Sequence, residues 1–204
     1  MSKGSVVIIS GPSGSGKDTI LRLLLNNNPE IKFSISSTTR PMREEDKVTK
    51  KYDFLSVAEF EAMIENDQLL EYNCYVGNYY GTPRKPVEDA VNNGKDMIIE
   101  VDVNGAANIR KKMPEAVSVF IMPPSFEELE RRLLGRGTDS KEVVAARLET
   151  ALREIKRAPE YDYIVVNGDI DTAVNDVLAI IKADGLKLNK QKYIIDEVLE
   201  NAKP

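Results

Sequence analysis

The sequence of 204 residues contains no histidine and a single cysteine, Cys74. The missing imidazole excludes Ser-His-Asp triads, His-bound zinc and histidine proton relays. Chemistry must therefore come from lysine, arginine, carboxylates, hydroxyls and backbone amides. One thiol cannot close an internal disulfide, which points to the reducing cytoplasm. Long apolar runs are absent too. Residues 6–9 and 97–99 fall far short of the roughly 20 residues of a membrane span, and the run after Gly4 is too short for a secretory signal. Nor is there a surplus of positive charge: 28 basic against 33 acidic residues give a net charge of -5, which argues against a general nucleic-acid or membrane-surface binder. Any anion site must be built locally.

What is present suffices for a core, with 42% hydrophobic and 30% charged residues. At about 150 residues per domain the length fits one core with a lid or small subdomain attached. Val6 to Ser10 is a β-branched run without alternation, as expected of a strand buried on both faces of a parallel sheet. Asp18 to Leu25 reads as a helix ended by Asn26 to Pro29. The alternation continues with strands at 96–102, 116–122 and 161–166 and a helix at 105–112. A capping box at Ser125 starts a helix to about Gly135, another runs from about Ser140 to near Pro159, and Asp171 caps one that reaches toward Gly185. Alternating strands and helices predict an α/β fold with a central parallel sheet. Residues 32–36, 52–55 and 69–76 read as short, partly exposed strands, with a short helix starting at Ser56, and form an inserted mixed subdomain. The charged tail from Lys187 is expected to be a peripheral helix.

Gly11, Pro12, Ser13, Gly14, Ser15, Gly16 and Lys17 have the G-x-x-x-x-G-K spacing of a phosphate loop, after a predicted buried strand and before a predicted helix. Glycines let the backbone wrap with its N–H groups inward, the helix N-terminus adds partial positive charge, and Lys17 adds a full one. Asp18 stands where this motif usually carries a Ser or Thr that meets Mg²⁺, and Thr19 is the next hydroxyl. A second group of anion-binding side chains follows in Ser36 to Arg43, with Arg40 and Arg43 among hydroxyls, and Tyr52 nearby. A solvated polar loop is the alternative for that segment. Asp102 falls at the C-terminal end of a predicted parallel strand, where open α/β sheets place their ligands.

These segments, with residues 77–82, 100–105 and 135–138, occur in the order seen in guanylate kinases, which the chain resembles over about residues 5–182. The resemblance implies a P-loop core, a GMP-binding subdomain and a lid, and transfer of the γ-phosphoryl group of ATP to GMP, with dGMP as a further acceptor. In that scheme residues 1–32, 83–125 and 159–204 form the core, 33–82 the GMP-binding subdomain and 126–158 the lid. By resemblance Arg40, Arg43, Tyr52 and Tyr80 hold the GMP phosphate. Ser36, Glu71, Thr82 and Asp102 read guanine, whose N1 and N2 donors suit carboxylates and whose O6 acceptor suits hydroxyls. Arg132, Arg136 and Arg147 are the lid arginines, acting with Lys17 and Arg40 on the transferred phosphoryl; a solvated basic face paired with neighbouring glutamates is the alternative. Asn167 belongs near the ATP base. The cofactor is Mg²⁺ carried by ATP, with no direct protein ligand assigned and with Thr19 and Glu100 reaching it through water.

The chain departs from the family pattern in the first GMP loop, where Arg43, Glu44, Glu45 and Asp46 replace Arg-x-Gly-Glu and Thr49 replaces a glycine. These changes stiffen the loop and set extra acids beside a phosphate site. The expected partners are ATP and GMP, in a monomer or homodimer, with neither nucleic acid nor membrane. Two rival readings remain, a guanylate-kinase-like binding module without catalysis and a kinase of another nucleoside monophosphate.

Overall fold

The computed structural model describes residues 3–44, 46–49, 51–135 and 141–202. The chain runs β1 (Val6–Ser10), α1 (Lys17–Asn27), β2 (Lys32–Phe33), β3 (Ser36–Thr38), α2 (Asp46–Thr49), β4 (Tyr52–Phe54), α3 (Val57–Glu65), β5 (Leu69–Tyr75) and β6 (Asn78–Pro83). It continues with α4 (Arg84–Asn92), β7 (Met97–Glu100), α5 (Val103–Lys112), β8 (Val117–Met122), α6 (Phe126–Leu134), α7 (Lys141–Ile155), β9 (Tyr163–Val166), α8 (Ile170–Gly185) and α9 (Leu188–Asn201).

The central sheet has the order β2-β7-β1-β8-β9, and every pairing in it is parallel. All of β1 is buried, and its alternating side chains feed two cores. Val7 and Ile9 pack with Ile20, Leu24, Val174, Val177 and Ile181 from α1 and α8. Val6 and Ile8 pack on the other face with Val87, Ala106 and Ile109 from α4 and α5. Each such fully buried aliphatic side chain stabilises the fold by about 1.5–3 kcal/mol relative to exposure. The result is a three-layer α/β core, in which β1 delivers the glycine-rich loop to the C-terminal edge of the sheet, beside the ends of β7 and β8.

A second sheet, β4-β3-β6-β5, is mixed: β3 runs parallel to β4 and antiparallel to β6, which pairs antiparallel with β5. The hairpin β5-β6 turns at Val76 and Gly77, both with positive φ (48° and 75°), as hairpins with the native twist require. Helix α3 opens with a complete capping box between Ser56 and Glu59. Leu129 and Leu133 of α6 pack with Val144 and Ala151 of α7, joining these helices into one small unit.

Three sequence readings change. Residues 32–36 are not one strand: Lys32–Phe33 pairs with β7 in the central sheet, and Ser36–Thr38 belongs to the second. Helix α8 is capped by Asp169, whose carboxylate accepts from the Thr172 amide, and Asp171 lies in its first turn. Strand β6 and helices α2 and α4 were not expected, since β6 contains Gly81 and ends at Pro83, and α4 buries only Val87. Among the described residues no helix is long and apolar enough to cross a membrane.

Candidate active site

The loop between β1 and α1 fixes the first chamber. Gly16 caps α1 with φ of 87°, and a Cβ there would stand 2.2 Å from Asn167 Nδ2, so only glycine fits both the backbone and the space. Every residue from Gly11 to Thr19 lines a cavity of about 590 Å³, together with Ser34, Ser36, Lys51, Tyr52, Glu100, Asp102 and Glu154. Lys17 Nζ stands 3.4 Å from Glu100 Oε1. Burial pushes the Glu100 carboxyl up; Lys17 opposes this, and Asp18, hydrogen-bonded to it, adds to it. Glu154, near the end of α7, lines the same chamber near the Ser13 backbone amide; burial raises its carboxyl as well, with Lys17 opposing.

A second chamber of about 280 Å³ opens from the first, and Ser36, Tyr52, Glu100, Val101 and Asp102 wall both. Its far side is the β5-β6 hairpin, which contributes Glu71, Asn73, Tyr75, Tyr80 and Gly81. A register shift between Leu69 and Glu71 turns Glu71 toward the chamber. Thr82, fully buried, donates to Glu71 Oε1 at 2.7 Å. Burial pushes the Glu71 carboxyl up to about 7, although the Thr82 hydrogen bond opposes this. Asp102 faces it as the N-cap of α5, its Oδ1 accepting from the amides of Asn104 (2.9 Å) and Gly105 (2.8 Å). A Cβ on Gly105 would lie 3.2 Å from Glu71 Oε2 and 3.0 Å from Val101 Cβ, so the Glu71 carboxyl reaches the start of α5 because residue 105 has no side chain.

Arg40 lies behind Tyr52 of the shared wall, held by a bidentate ion pair with Asp46 (Nη1 to Oδ2 2.8 Å, Nη2 to Oδ1 3.0 Å). Its guanidinium sits 5.4 Å from the ring centres of both Tyr52 and Phe54, and Tyr52 meets Tyr80 edge to face at 6.0 Å. Asp46 also accepts from the Arg43 amide at 2.7 Å, and the hydrogen bonds from Arg40 and Arg43 hold its carboxyl down at about 2. Asp46, which stands where the family pattern carries Glu, is thus the brace of the first arginine. Glu44 is paired with Lys47 at 2.7 Å. Glu45 lies outside the described residues. Arg43 itself is exposed.

The remaining predicted residues are placed differently from the cleft-facing groups. Arg132 sits behind the phosphate loop, donating to the carbonyls of Ser15 (3.1 Å) and Asn167 (3.0 Å) while Glu128 accepts from its Nε at 2.7 Å. Asn167 is buried there, its amide donating to Ser15 O at 2.7 Å. Arg147 is half-buried on α7, and Arg136 lies outside the described residues. Sequence reasoning missed Asp46, Lys51 and Glu154. Lys51, next to Tyr52, is the only one of these with a local signal, a cation just ahead of β4.

A guanylate kinase family model matches residues 3–184. A guanylate kinase of Carboxydothermus hydrogenoformans is 46% identical over 193 residues, 95% of each chain. One of Photobacterium profundum is 48% identical over 193 residues, 94% of this chain and 93% of that one. The crystal structure of guanylate kinase from Anaplasma phagocytophilum superposes with a TM-score of 0.74 at 36% identity, covering 93% of this chain and 90% of that one. With the match running from the first strand through α8, the chain belongs to the guanylate kinase family.

Proposed function

We propose that the protein is an ATP:GMP phosphotransferase that moves the γ-phosphoryl group of ATP to GMP, giving ADP and GDP. The observation that carries this reading is the pair of connected chambers, one lined by a phosphate loop with Lys17 and the other by Ser36, Glu71 and Asp102, with Thr82 hydrogen-bonded to Glu71 behind its wall. Backbone amides of the Gly11 to Lys17 loop cradle the triphosphate, and Lys17 balances charge on its β and γ groups. Arg40, Arg43, Tyr52 and Tyr80 hold the GMP phosphate, and its oxygen attacks the γ phosphorus in line. The new O–P bond forms as the bond to the β-γ bridging oxygen breaks, and ADP leaves with that electron pair. Near neutral pH a monophosphate is largely a dianion, since its second pKa is about 6, so the attacking oxygen needs no protein base. Positioning and charge stabilisation supply the acceleration.

Glu71 and Asp102 accept the N1 and N2 protons of guanine while Ser36 and Thr82 serve its O6. Adenine, which has an acceptor at N1, would leave the half-buried Glu71 and the Asp102 carboxylate unmatched. Mg²⁺ arrives with ATP. The donor set fits such an ion, because Asp18, Thr19 and Glu100 line the phosphate chamber. Among the described residues, no group of three or more His, Cys, Asp or Glu side chains could hold a metal by itself. Magnesium held largely by substrate phosphates and water needs no more.

A coupled assay of ADP release across GMP, dGMP, AMP, CMP and UMP tests the reading. GMP is expected to exceed AMP by a factor on the order of 10⁴, the discrimination typical of unmatched buried polar groups. Equal turnover of AMP, or none of GMP, would overturn it.

A further inference from the structure

A nucleotide accepted by this site carries a sugar between its base and its phosphate, and none of the residues named so far addresses that sugar. Strand β5 is extended, so Glu71, Asn73 and Tyr75 project to one face, and all three line the second chamber. Their neighbours across the hairpin are Thr82, Tyr80 and Asn78 respectively. The wall is therefore a ladder. Its inner rung, Glu71 with Thr82, belongs to the base, and Tyr80 on the next rung is one of the phosphate-holding tyrosines. Asn73 is the partner of Tyr80 on that rung. Two residues along a strand span about 7 Å, which is the order of the distance from a purine to its 5′ phosphate. The Asn73 side chain is exposed to the chamber and, among the described residues, makes no hydrogen bond to another side chain or backbone group.

An asparagine amide carries two donors and an acceptor, which complement a hydroxyl in either role. The 2′-hydroxyl is both donor and acceptor and is the group by which a protein separates ribose from deoxyribose. We propose that Asn73 reads the ribose of the acceptor nucleotide by hydrogen bonding to its hydroxyls, so that this enzyme favours GMP over dGMP. The inference rests on the second chamber being the GMP site. It assigns specificity for the sugar to a residue separate from those that read the base.

The test is kcat/KM for GMP and for dGMP, measured on the wild type, Asn73→Ala and Asn73→Ser. One solvent-accessible neutral hydrogen bond corresponds to a preference of about 3–10-fold for GMP in the wild type. Asn73→Ala is expected to bring the GMP/dGMP ratio to about one, mainly through KM for GMP, and Asn73→Ser to restore part of it. The ratio is internal to each variant, so loss of active protein does not move it. An unchanged ratio in Asn73→Ala, or a wild-type ratio already at one, overturns the proposal while leaving guanylate kinase activity intact. Failure to phosphorylate either nucleotide overturns the reading of the site itself.

Discussion

The side-chain amide of Asn167 donates to the carbonyl oxygen of Ser15 at 2.7 Å, joining the end of β9 to the phosphate loop across 152 positions of sequence. Arg132 of α6 donates to the same carbonyl and to that of Asn167, so one backbone oxygen of the loop is gripped from two elements. The Ser15 amide in turn donates to the Pro12 carbonyl at 3.0 Å, so both backbone groups of this residue are held within the protein.

This fixes an expectation for Arg132. A lysine there is a single point charge that cannot serve both carbonyls and Glu128 at once. Arg132→Lys should lower stability by about 1–2 kcal/mol, the scale of hydrogen bonds to a charged group in a partly buried setting, and raise KM for ATP several-fold. KM for GMP should stay within about twofold. Thermal melts and steady-state kinetics check this, and an ATP KM equal to wild type would show that the grip does not shape the loop.

The Glu71 carboxyl, raised to about 7 by burial, ties GMP binding to pH. Guanine donors require the carboxylate, so affinity should climb as pH rises toward 7 and level off above it. Binding at pH 7 should release about half a proton from this group. The same shift makes the ligand-free fold favour the protonated acid. That stability is fully present below the ordinary 4.5 and is lost as pH rises through about 7. Glu71→Gln should flatten both slopes. Calorimetry in buffers of different ionisation enthalpy, and melts from pH 4.5 to 8, would measure them; an unaltered slope in the variant contradicts the assignment.

Glu154 presents a carboxylate to the Ser13 amide and to the Lys17 charge, in a chamber that must accept a triphosphate. Like charges disfavour one another, so Glu154→Gln should tighten ATP binding by about 3–10-fold at low salt and by less at high salt. Titrating ATP at two ionic strengths decides the matter. Weaker binding in the variant would mean that Glu154 instead supports the metal-bound nucleotide.

Asp46 braces Arg40 through two hydrogen bonds and holds the Arg43 amide with a third. Asp46→Asn should release Arg40 from its place against Tyr52 and Phe54 and raise KM for GMP about tenfold, with KM for ATP little changed. A depressed carboxyl contributes stability above its ordinary value near 3.8, and that contribution fades as pH falls through about 2, so the brace persists throughout the neutral range. A GMP KM indifferent to the substitution would assign Asp46 a purely local role.

The phosphate loop was legible because strand, glycine turn and helix start are adjacent in sequence, and each carries a local signal. Asp102 was legible for a similar reason, since the end of a parallel strand is itself a position with meaning. The setting of Arg132 was not, because its partner at Ser15 lies 117 residues away and no periodicity reports such a contact. The role of Asp46 was not legible either, because only the folded loop brings its carboxylate onto Arg40. Helix α4 escaped notice because its apolar stripe is as short as Val87, Ala90 and Val91 and two prolines, Pro83 and Pro86, punctuate its start.

Ser36, Tyr52, Glu100, Val101 and Asp102 belong to the walls of both chambers, so no slab of protein partitions the two compartments. A single inhibitor with a purine head at each end and a short polyanionic tether could therefore thread the junction. Once one head docked, the other would search at an effective concentration in the millimolar range, and the tether would turn two modest affinities into one strong one.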